Sequence, residues 1–279
     1  MQEPKTSISR LKVKNGKTLL ENDPLAVEEP LQIRLKQASA EFNFTITLRT
    51  PGDDIELITG LLFSEGIIEK ATDIKSITQQ VDGHFSANVA LVELNETLKL
   101  ELNNSKRQGV SHSGCGFCGK TSLNSLALQS KREQRPVSVK MSPSLIKDLR
   151  KALSSQSLFS QTGGSHVAGL VYQTDKSFQI AQSPFFEDVG RHNALDKLIG
   201  HELNQNDLGQ TGILILSGRI GFELVQKSVI AGFTVIVALG APSSLAVQSA
   251  KQFNIALIGF AKDNSFNLYT ADESLLALT

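Results

Sequence analysis

Cys115 and Cys118 are the only cysteines in the chain, three positions apart. They lie in Ser111-His112-Ser113-Gly114-Cys115-Gly116-Phe117-Cys118-Gly119-Lys120, where three glycines surround two thiols and open backbone conformations closed to other residues. Such a loop presents sulfur to partners of different shape. His112 and Lys120 place protonatable or positive groups nearby in sequence. A short helix expected over 121–128 adds the positive end of its dipole, so the surroundings favour thiolate over thiol. Three other readings stay open. A zinc site needs a second Cys or His pair at short spacing. A thioredoxin-like redox pair needs a buried strand feeding the motif, where Lys106 to Gly114 is polar. Two inert buried residues need cover that the flanking glycines do not supply. A nucleophilic cysteine is the reading this loop supports best.

The second half offers seats for an anion. An apolar run Ile213–Leu216 leads into Ser217-Gly218-Arg219, and Val235–Leu239 leads into Gly240-Ala241-Pro242-Ser243-Ser244, each ahead of a helical segment. That arrangement puts free backbone N–H groups, and at Arg219 a guanidinium, at the carboxyl end of a strand. Two neighbouring seats suit a diphosphate or a dinucleotide. Thr162-Gly163-Gly164-Ser165-His166 forms a third glycine turn, and Glu187-Asp188-Val189-Gly190-Arg191-His192-Asn193 packs acid, base, amide and imidazole into seven residues. One glycine turn is common in α/β proteins; four such segments in one half-chain call for a ligand. His192 and Asp196, four apart on an expected helix, read as a surface pair or as half of a metal site without a third ligand. His84 and His201 read as solvent-exposed.

These groups need a frame. The first hundred residues are strand-rich, with Phe42, Phe44, Ile46 and Leu48 alternating with polar residues at the period of a strand. Ala87 to Leu94 alternates more weakly. Between them Asp53-Asp54 opens a helix with charge that suits its N-terminus, Ile55, Ile58, Leu61 and Leu62 form its apolar stripe, and Gly66 stops it. Residues 103–120 are polar and aperiodic, a loop that holds the cysteines. From Ser142, an N-cap followed by Pro143, helix and strand alternate. Nearly unbroken apolar runs at Val167–Tyr172, Ile213–Leu216, Val235–Leu239 and Ile255–Phe260 suit strands covered on both faces. Helices are expected at Arg191–Leu203, Phe222–Ala231 and Ser244–Phe253. The pattern predicts an α/β fold, α+β overall, with a strand-rich N-terminal domain over 1–135 and an α/β domain over 136–279.

Composition limits the partners. In 279 residues, 28 basic side chains balance 28 acidic ones, so no global field draws the chain to nucleic acid or an anionic membrane. Tryptophan is absent and aromatics make up 6%, which leaves little for base-stacking platforms. No apolar run reaches the roughly 18 residues of a membrane span, and Met1 to Arg10 has no leader-like apolar core. A cytoplasmic location, with no nucleic acid and no membrane as partner, is the expectation.

Taken together, these segments resemble the formate dehydrogenase accessory sulfurtransferase family, FdhD. The likeness is carried by Arg49-Thr50-Pro51-Gly52-Asp53 with Glu56-Leu57, by Glu65-Gly66-Ile67-Ile68, and by the Cys115/Cys118 pair. In the second half it rests on Thr162 to His166, Glu187 to Ala194 with Asp196-Lys197, Ser217-Gly218-Arg219, Ala241 to Val247 and Gly259-Phe260. The resemblance implies a cytidine-deaminase-like three-layer domain beside the smaller N-terminal one. It also implies a homodimer, and transfer of sulfur from a cysteine desulfurase through a cysteine persulfide. The acceptor it implies is a molybdenum or tungsten bis(molybdopterin guanine dinucleotide) destined for apo formate dehydrogenase, with GDP or GTP as mimics. The loop Phe260-Ala261-Lys262-Asp263-Asn264-Ser265 would contact that cofactor, joined by Ser217, Arg219, Gly163, Gly164, His192 and Ser243. Deaminase chemistry is not expected, because no His-x-Glu is followed by Pro-Cys-x-x-Cys, and no zinc is expected. A non-catalytic chaperone for the cofactor and a dithiol oxidoreductase are the competing functions. Of the two thiols, Cys115 is expected to carry sulfur, because the more N-terminal thiol of such a pair tends to be exposed and acidic.

Overall fold

The computed structural model describes residues 3–82, 85–98, 140–174, 177–205, 208 and 212–271. The cysteine loop, with Cys115, Cys118 and the helix expected over 121–128, lies outside the described residues, as do His84 and the expected boundary near residue 135.

Two strands, β1 (Lys5–Lys14) and β2 (Lys17–Ala26), pair as an antiparallel ribbon. A four-stranded sheet follows, in order β4-β3-β6-β5, from β3 (Glu29–Gln37), β4 (Ala40–Arg49), β5 (Ile74–Asp82) and β6 (Phe85–Leu94). Leu31, Ile33 and Leu35 of β3 alternate into the core, as period two requires. On β4 the alternation breaks: the register jumps from Thr45↔Ile33 to Asn43↔Arg34, so Phe44 is a bulged residue. A bulge exchanges the faces of the residues beyond it. Thr47 and Arg49 therefore point inward and are buried, in place of the expected Ile46 and Leu48.

α1 (Asp54–Ser64) crosses from this sheet to the second half. It ends as expected, with Gly66 at φ 72° and Ile67 N–H donating to the Leu62 carbonyl at 2.9 Å, a left-handed stop that suits glycine. Its buried face differs from the expected stripe. Leu57, Ile58, Gly60 and Leu62 are buried while Ile55 is exposed, because α1 is pressed between the four-stranded sheet and another helix.

The second half is built on a six-stranded sheet of order β12-β11-β10-β9-β7-β8. Its strands are β7 (His166–Tyr172), β8 (Phe185–Asp188), β9 (Gly212–Leu216), β10 (Val235–Ala238), β11 (Ala256–Lys262) and β12 (Ser265–Leu268). β9, β10 and β11 are parallel, whereas β7, β8 and β12 each run antiparallel to their neighbours. On one face α2 (Pro143–Ser154) covers Val171, Ile213, Ile215 and Val237, with Ser142 capping the Leu145 N–H as expected. A short α3 (Ser157–Thr162) follows it. On the other face lie α4 (Arg191–Asn204), α5 (Phe222–Ala231) and α6 (Ser244–Gln252). They share one continuous core with α1 and the N-terminal sheet. The central sheet is thus covered on both faces, which its unbroken apolar strands anticipate. Among the described residues no helix is long and apolar enough to cross a membrane. His201 is half-buried against the Phe186 ring at 5.2 Å rather than solvent-exposed.

Candidate functional site

Strand direction gathers the glycine turns. The carboxyl ends of parallel β9, β10 and β11 deliver Ser217-Gly218-Arg219, Gly240 to Ser243, and Phe260 to one edge of the sheet. β7 runs against β9 and starts at that edge with His166, while β8 ends there with Asp188 opposite His166. The β11–β12 hairpin turns there too, with Lys262 opposite Ser265. Thr162 to His166, Asp188 to His192, the two βα turns and the 260–265 hairpin therefore share one rim.

Backbone bonds stitch this rim together. Ser217 N–H donates to the Val167 carbonyl at 3.0 Å and its Oγ accepts from Val167 N–H at 2.9 Å. Gly240 N–H donates to Gly218 O at 3.2 Å, Ile220 N–H to Ala241 O at 3.0 Å, and Phe260 N–H to Gly240 O at 3.1 Å. A Cβ on Gly240 would come within 2.7 Å of Gly218 O, so glycine is what lets the two turns touch.

Cations line the rim. The space beside Gly218 is filled by the His166 ring, 3.1 Å from where a Cβ would stand, and by the Arg191 stem at 3.9 Å. Burial, then the Arg191 and Arg219 guanidiniums, push the His166 pKa below its ordinary value, so this imidazole is neutral beside two fixed positive charges. Arg219 is exposed. Ser165, 4% exposed, has an Oγ without a hydrogen-bond partner, and the buried Nε of Arg191 has none either. Helices α4 and α5 begin at this rim with Gly190 and Gly221 as N-caps, neither supplying a side-chain cap, and the start of α4 can offer backbone N–H groups to a ligand. Two guanidiniums, glycine backbone and unused buried donors are the chemistry of an anion seat.

Behind the rim is a buried polar frame. Asp188 and Lys197 pair at 3.0 Å, both at 1% side-chain exposure or less. Asp188 also accepts from Thr50 N–H at 3.1 Å, Gly190 N–H at 2.8 Å and Asn193 Nδ2 at 3.2 Å. Lys197 Nζ donates to the Thr50 and Glu187 carbonyls, and Asn193 Nδ2 to Leu48 O at 2.7 Å. Arg49, at the end of β4, grips Asp54 through two bonds of 2.8 and 3.0 Å. The cluster expected to serve a ligand thus uses Asp188 and Asn193 to lock the N-terminal sheet to α4. Glu187 is likewise spent on the N–H groups of Leu158 and Phe159 that open α3.

His192 and Asp196 are both buried and engage different partners, so neither a surface pair nor a shared metal describes them. His192 Nε2 lies 3.2 Å from Glu223 Oε2. Burial and then the Lys227 and Arg191 cations push its pKa down to about 3, so it stands as a neutral imidazole beside that carboxylate. Asp196 accepts two bonds of 2.7 Å from Lys227 and one of 2.9 Å from Ser64. Burial pushes the Asp196 carboxyl up to about 6 against the pull of Lys227. Burial acts to lower Lys227, but Asp196, Glu223 and Glu65 outweigh it and raise its pKa. Glu223 and Lys227 went unnoticed in the sequence. Lys227 sits inside the buried face of α5 among Leu224, Val225, Ser228 and Val229, a break in the apolar stripe that marks a buried cation.

The remaining expected residues spread over the same rim. Phe260 is 42% exposed at φ 52°; Ala261 is buried beneath it, while Lys262, Asp263, Asn264 and Ser265 are exposed. Arg150 of α2 pairs with Asp263 and ties down the hairpin. Ser243 Oγ is occupied in capping Ala246 N–H at 3.2 Å. Gly163, at φ 61°, closes α3, and Gly164 passes 3.6 Å from Ala26 of β2 by its Cβ position.

Residues 26–276 match the model of the FdhD/NarQ family. A protein of Streptomyces coelicolor named "Sulfur carrier protein FdhD" is 38% identical over 93% of this chain and 91% of its own. One of Sulfolobus acidocaldarius with the same name is 38% identical over 99% of both chains. A crystal structure from Desulfotalea psychrophila, described as a candidate formate dehydrogenase accessory protein, superposes with a TM-score of 0.68 over 98% of this chain and all of that one, at 23% identity. Matched from end to end in sequence and in fold, the chain belongs to the FdhD/NarQ family.

Proposed function

We propose that this protein is a sulfur carrier serving formate dehydrogenase, holding sulfur as a persulfide on Cys115 and delivering it to a molybdenum or tungsten bis-guanine-dinucleotide pterin. The observation that carries this reading is that relatives named as sulfur carriers align over nearly the whole chain, whose only thiols are Cys115 and Cys118. The rim supports it, because the Arg191 and Arg219 guanidiniums and the start of α4 suit the diphosphates of such a substrate.

In loading, the Cys115 thiolate attacks the outer sulfur of a donor persulfide on a cysteine desulfurase. A Cys115 S–S bond forms, the donor's S–S bond breaks, and the donor thiolate leaves. In release, the Cys118 thiolate attacks the inner sulfur of the Cys115 persulfide. The outer sulfur departs as hydrosulfide toward the metal centre, and the resulting disulfide returns to two thiols at the expense of a dithiol reductant.

The test is intact-mass analysis after incubation with desulfurase and cysteine. A gain of one sulfur atom, absent in Cys115→Ser, is expected. Tight binding of GDP without any gain of sulfur would instead identify a cofactor chaperone and overturn the carrier reading.

A further inference from the structure

Most polar groups of the rim turns are engaged within the fold. Ser217 Oγ accepts from Val167 N–H at 2.9 Å and Ser243 Oγ from Ala246 N–H at 3.2 Å. Thr162 Oγ1 accepts from Gly164 N–H at 3.0 Å and donates to Leu158 O at 2.7 Å. Gly240 N–H and Ser243 N–H donate to the Gly218 and Ile220 carbonyls. The turn after β10, which the sequence offers as a phosphate seat, is thus occupied in holding the turn after β9. Ser165 differs. It is 4% exposed, and among the described residues nothing bonds its Oγ. A buried hydroxyl that no protein group satisfies calls for a partner from outside the chain.

Its position names that partner's chemistry. Ser165 directly precedes His166, and Arg219 directly follows Gly218. The His166 ring lies 3.1 Å from where a Cβ on Gly218 would stand, so the ends of β7 and β9 run side by side, and the Arg219 charge reaches the imidazole. The carboxylates of neighbouring β8 are matched: Asp188 by Lys197, and Glu187 by the N–H groups of Leu158 and Phe159. An anion therefore meets an exposed guanidinium here and no unmatched charge from β8. Gly163 and Gly164, just ahead of Ser165, give the turn freedom to bring its hydroxyl to a ligand. A guanidinium fork and one short hydroxyl donor together suit the oxygens of a phosphate group. We infer that Ser165 is a specificity-determining residue of this rim, its hydroxyl donating to the same phosphate that Arg219 holds, between the ends of β7 and β9 and not on the turn after β10. The inference rests on the proposed reading of the rim as the seat of a diphosphate.

The test is isothermal calorimetry with GDP on the full chain, on Ser165→Ala, Ser165→Thr and Arg219→Ala, and on Ser165→Ala/Arg219→Ala. Ser165→Ala should bind about tenfold or more weakly, as loss of a hydrogen bond to a charged group requires, whereas Ser165→Thr keeps the hydroxyl and should stay within about threefold of wild type. Because the two residues hold one phosphate, the double variant should bind little more weakly than the weaker single variant. The urea midpoint of Ser165→Ala should not fall, since no bond inside the protein is lost. Unchanged GDP affinity in Ser165→Ala, losses that multiply in the double variant, a lowered midpoint, or a wild type that binds no GDP each overturn the inference. Guanosine, which carries no phosphate, should bind wild type and Ser165→Ala alike; an equal loss for guanosine and GDP gives the hydroxyl to the base or ribose and overturns it too. Intact-mass sulfur loading of the wild type keeps the two readings apart. A chain with the expected Ser165 response that gains no sulfur loses the carrier reading alone, whereas sulfur gain beside a Ser165→Ala that binds GDP like wild type removes this inference alone.

Discussion

Gly60 of α1 and Gly200 of α4 meet backbone to backbone: a Cβ on Gly60 would lie 1.8 Å from the Asp196 carbonyl oxygen, and one on Gly200 would lie 1.9 Å from that of Glu56. This contact joins the two halves of the molecule and brings Ser64 within 2.9 Å of Asp196. Backbone carbonyls cannot rotate away as a long side chain can, so Gly60→Ala and Gly200→Ala should each force the helices apart. A loss of about 3 kcal/mol is expected, at the upper end of overpacking costs, read as a lower denaturation midpoint in urea. An unchanged midpoint would mean that the helices slide freely.

The Asp196–Lys227 pair is fully enclosed, and removing one member leaves a buried charge without its counterpart. Lys227→Met should cost about 3–5 kcal/mol, whereas Lys227→Met/Asp196→Leu should recover most of it. Equal losses in the two variants would show that packing, not charge, is at stake.

His192 is neutral in the fold, with its pKa at about 3 against 6.5 for a free imidazole. The stability this provides is present above pH 6.5 and is lost as pH falls toward 3. Asp196, raised to about 6 from 3.8, acts in the opposite sense: its contribution is present below 3.8 and is lost as pH rises through 6. Replacing His192 by Gln removes only the first effect. The stability difference between wild type and His192→Gln should therefore shrink on acidification, approaching about 1.4 kcal/mol per pH unit between about pH 5.5 and about pH 4. Urea titrations across that range that stay parallel would contradict a buried neutral imidazole.

Arg219 is exposed at the rim beside His166, and no hydrogen bond within the fold is drawn to its side chain among the described residues. Its loss should spare folding and weaken binding of GDP, the probe for the guanine dinucleotide. A drop of about 1.5–3 kcal/mol is expected for Arg219→Ala, the worth of a charge-assisted hydrogen bond. Isothermal calorimetry giving equal affinities would move the phosphates elsewhere.

The two cysteines should separate in single-turnover labelling with radioactive cysteine and desulfurase. Cys115→Ser is expected to take up no label, while Cys118→Ala loads and then releases sulfur slowly. Label on Cys115→Ser at the wild-type level would hand the carrier role to Cys118.

Much of the fold was legible in the sequence because its signals are local. The helix expected at Phe222–Ala231 is found at those bounds, set between Gly221 and Gly232, the latter at φ 83° where an L side chain is disfavoured. The strands around Ile213–Leu216 and Val235–Ala238 announced themselves as apolar runs because both faces of the sheet are covered. The turns that follow them, and the cationic residues within, were equally visible.

Tertiary structure decided what depends on a partner distant in the chain. The inward face of β4 is set by a bulge opposite Ile33 and Arg34, and the spacing of Phe42, Phe44, Ile46 and Leu48 holds no trace of it. Which charges are buried was settled the same way: Asp196 of α4 meets Lys227 of α5, and the Asp188–Lys197 pair is closed over by the backbone of Thr50 from the N-terminal half. The gathering of five turns on one rim follows from strand direction, since β7 starts at that edge by running against β9, and β8 ends there by running against β7. Sequence patterns report the environment of each residue averaged over its own element. Hydrogen-bond register and helix-to-helix contact are relations between elements, and they come into being only when the chain closes on itself.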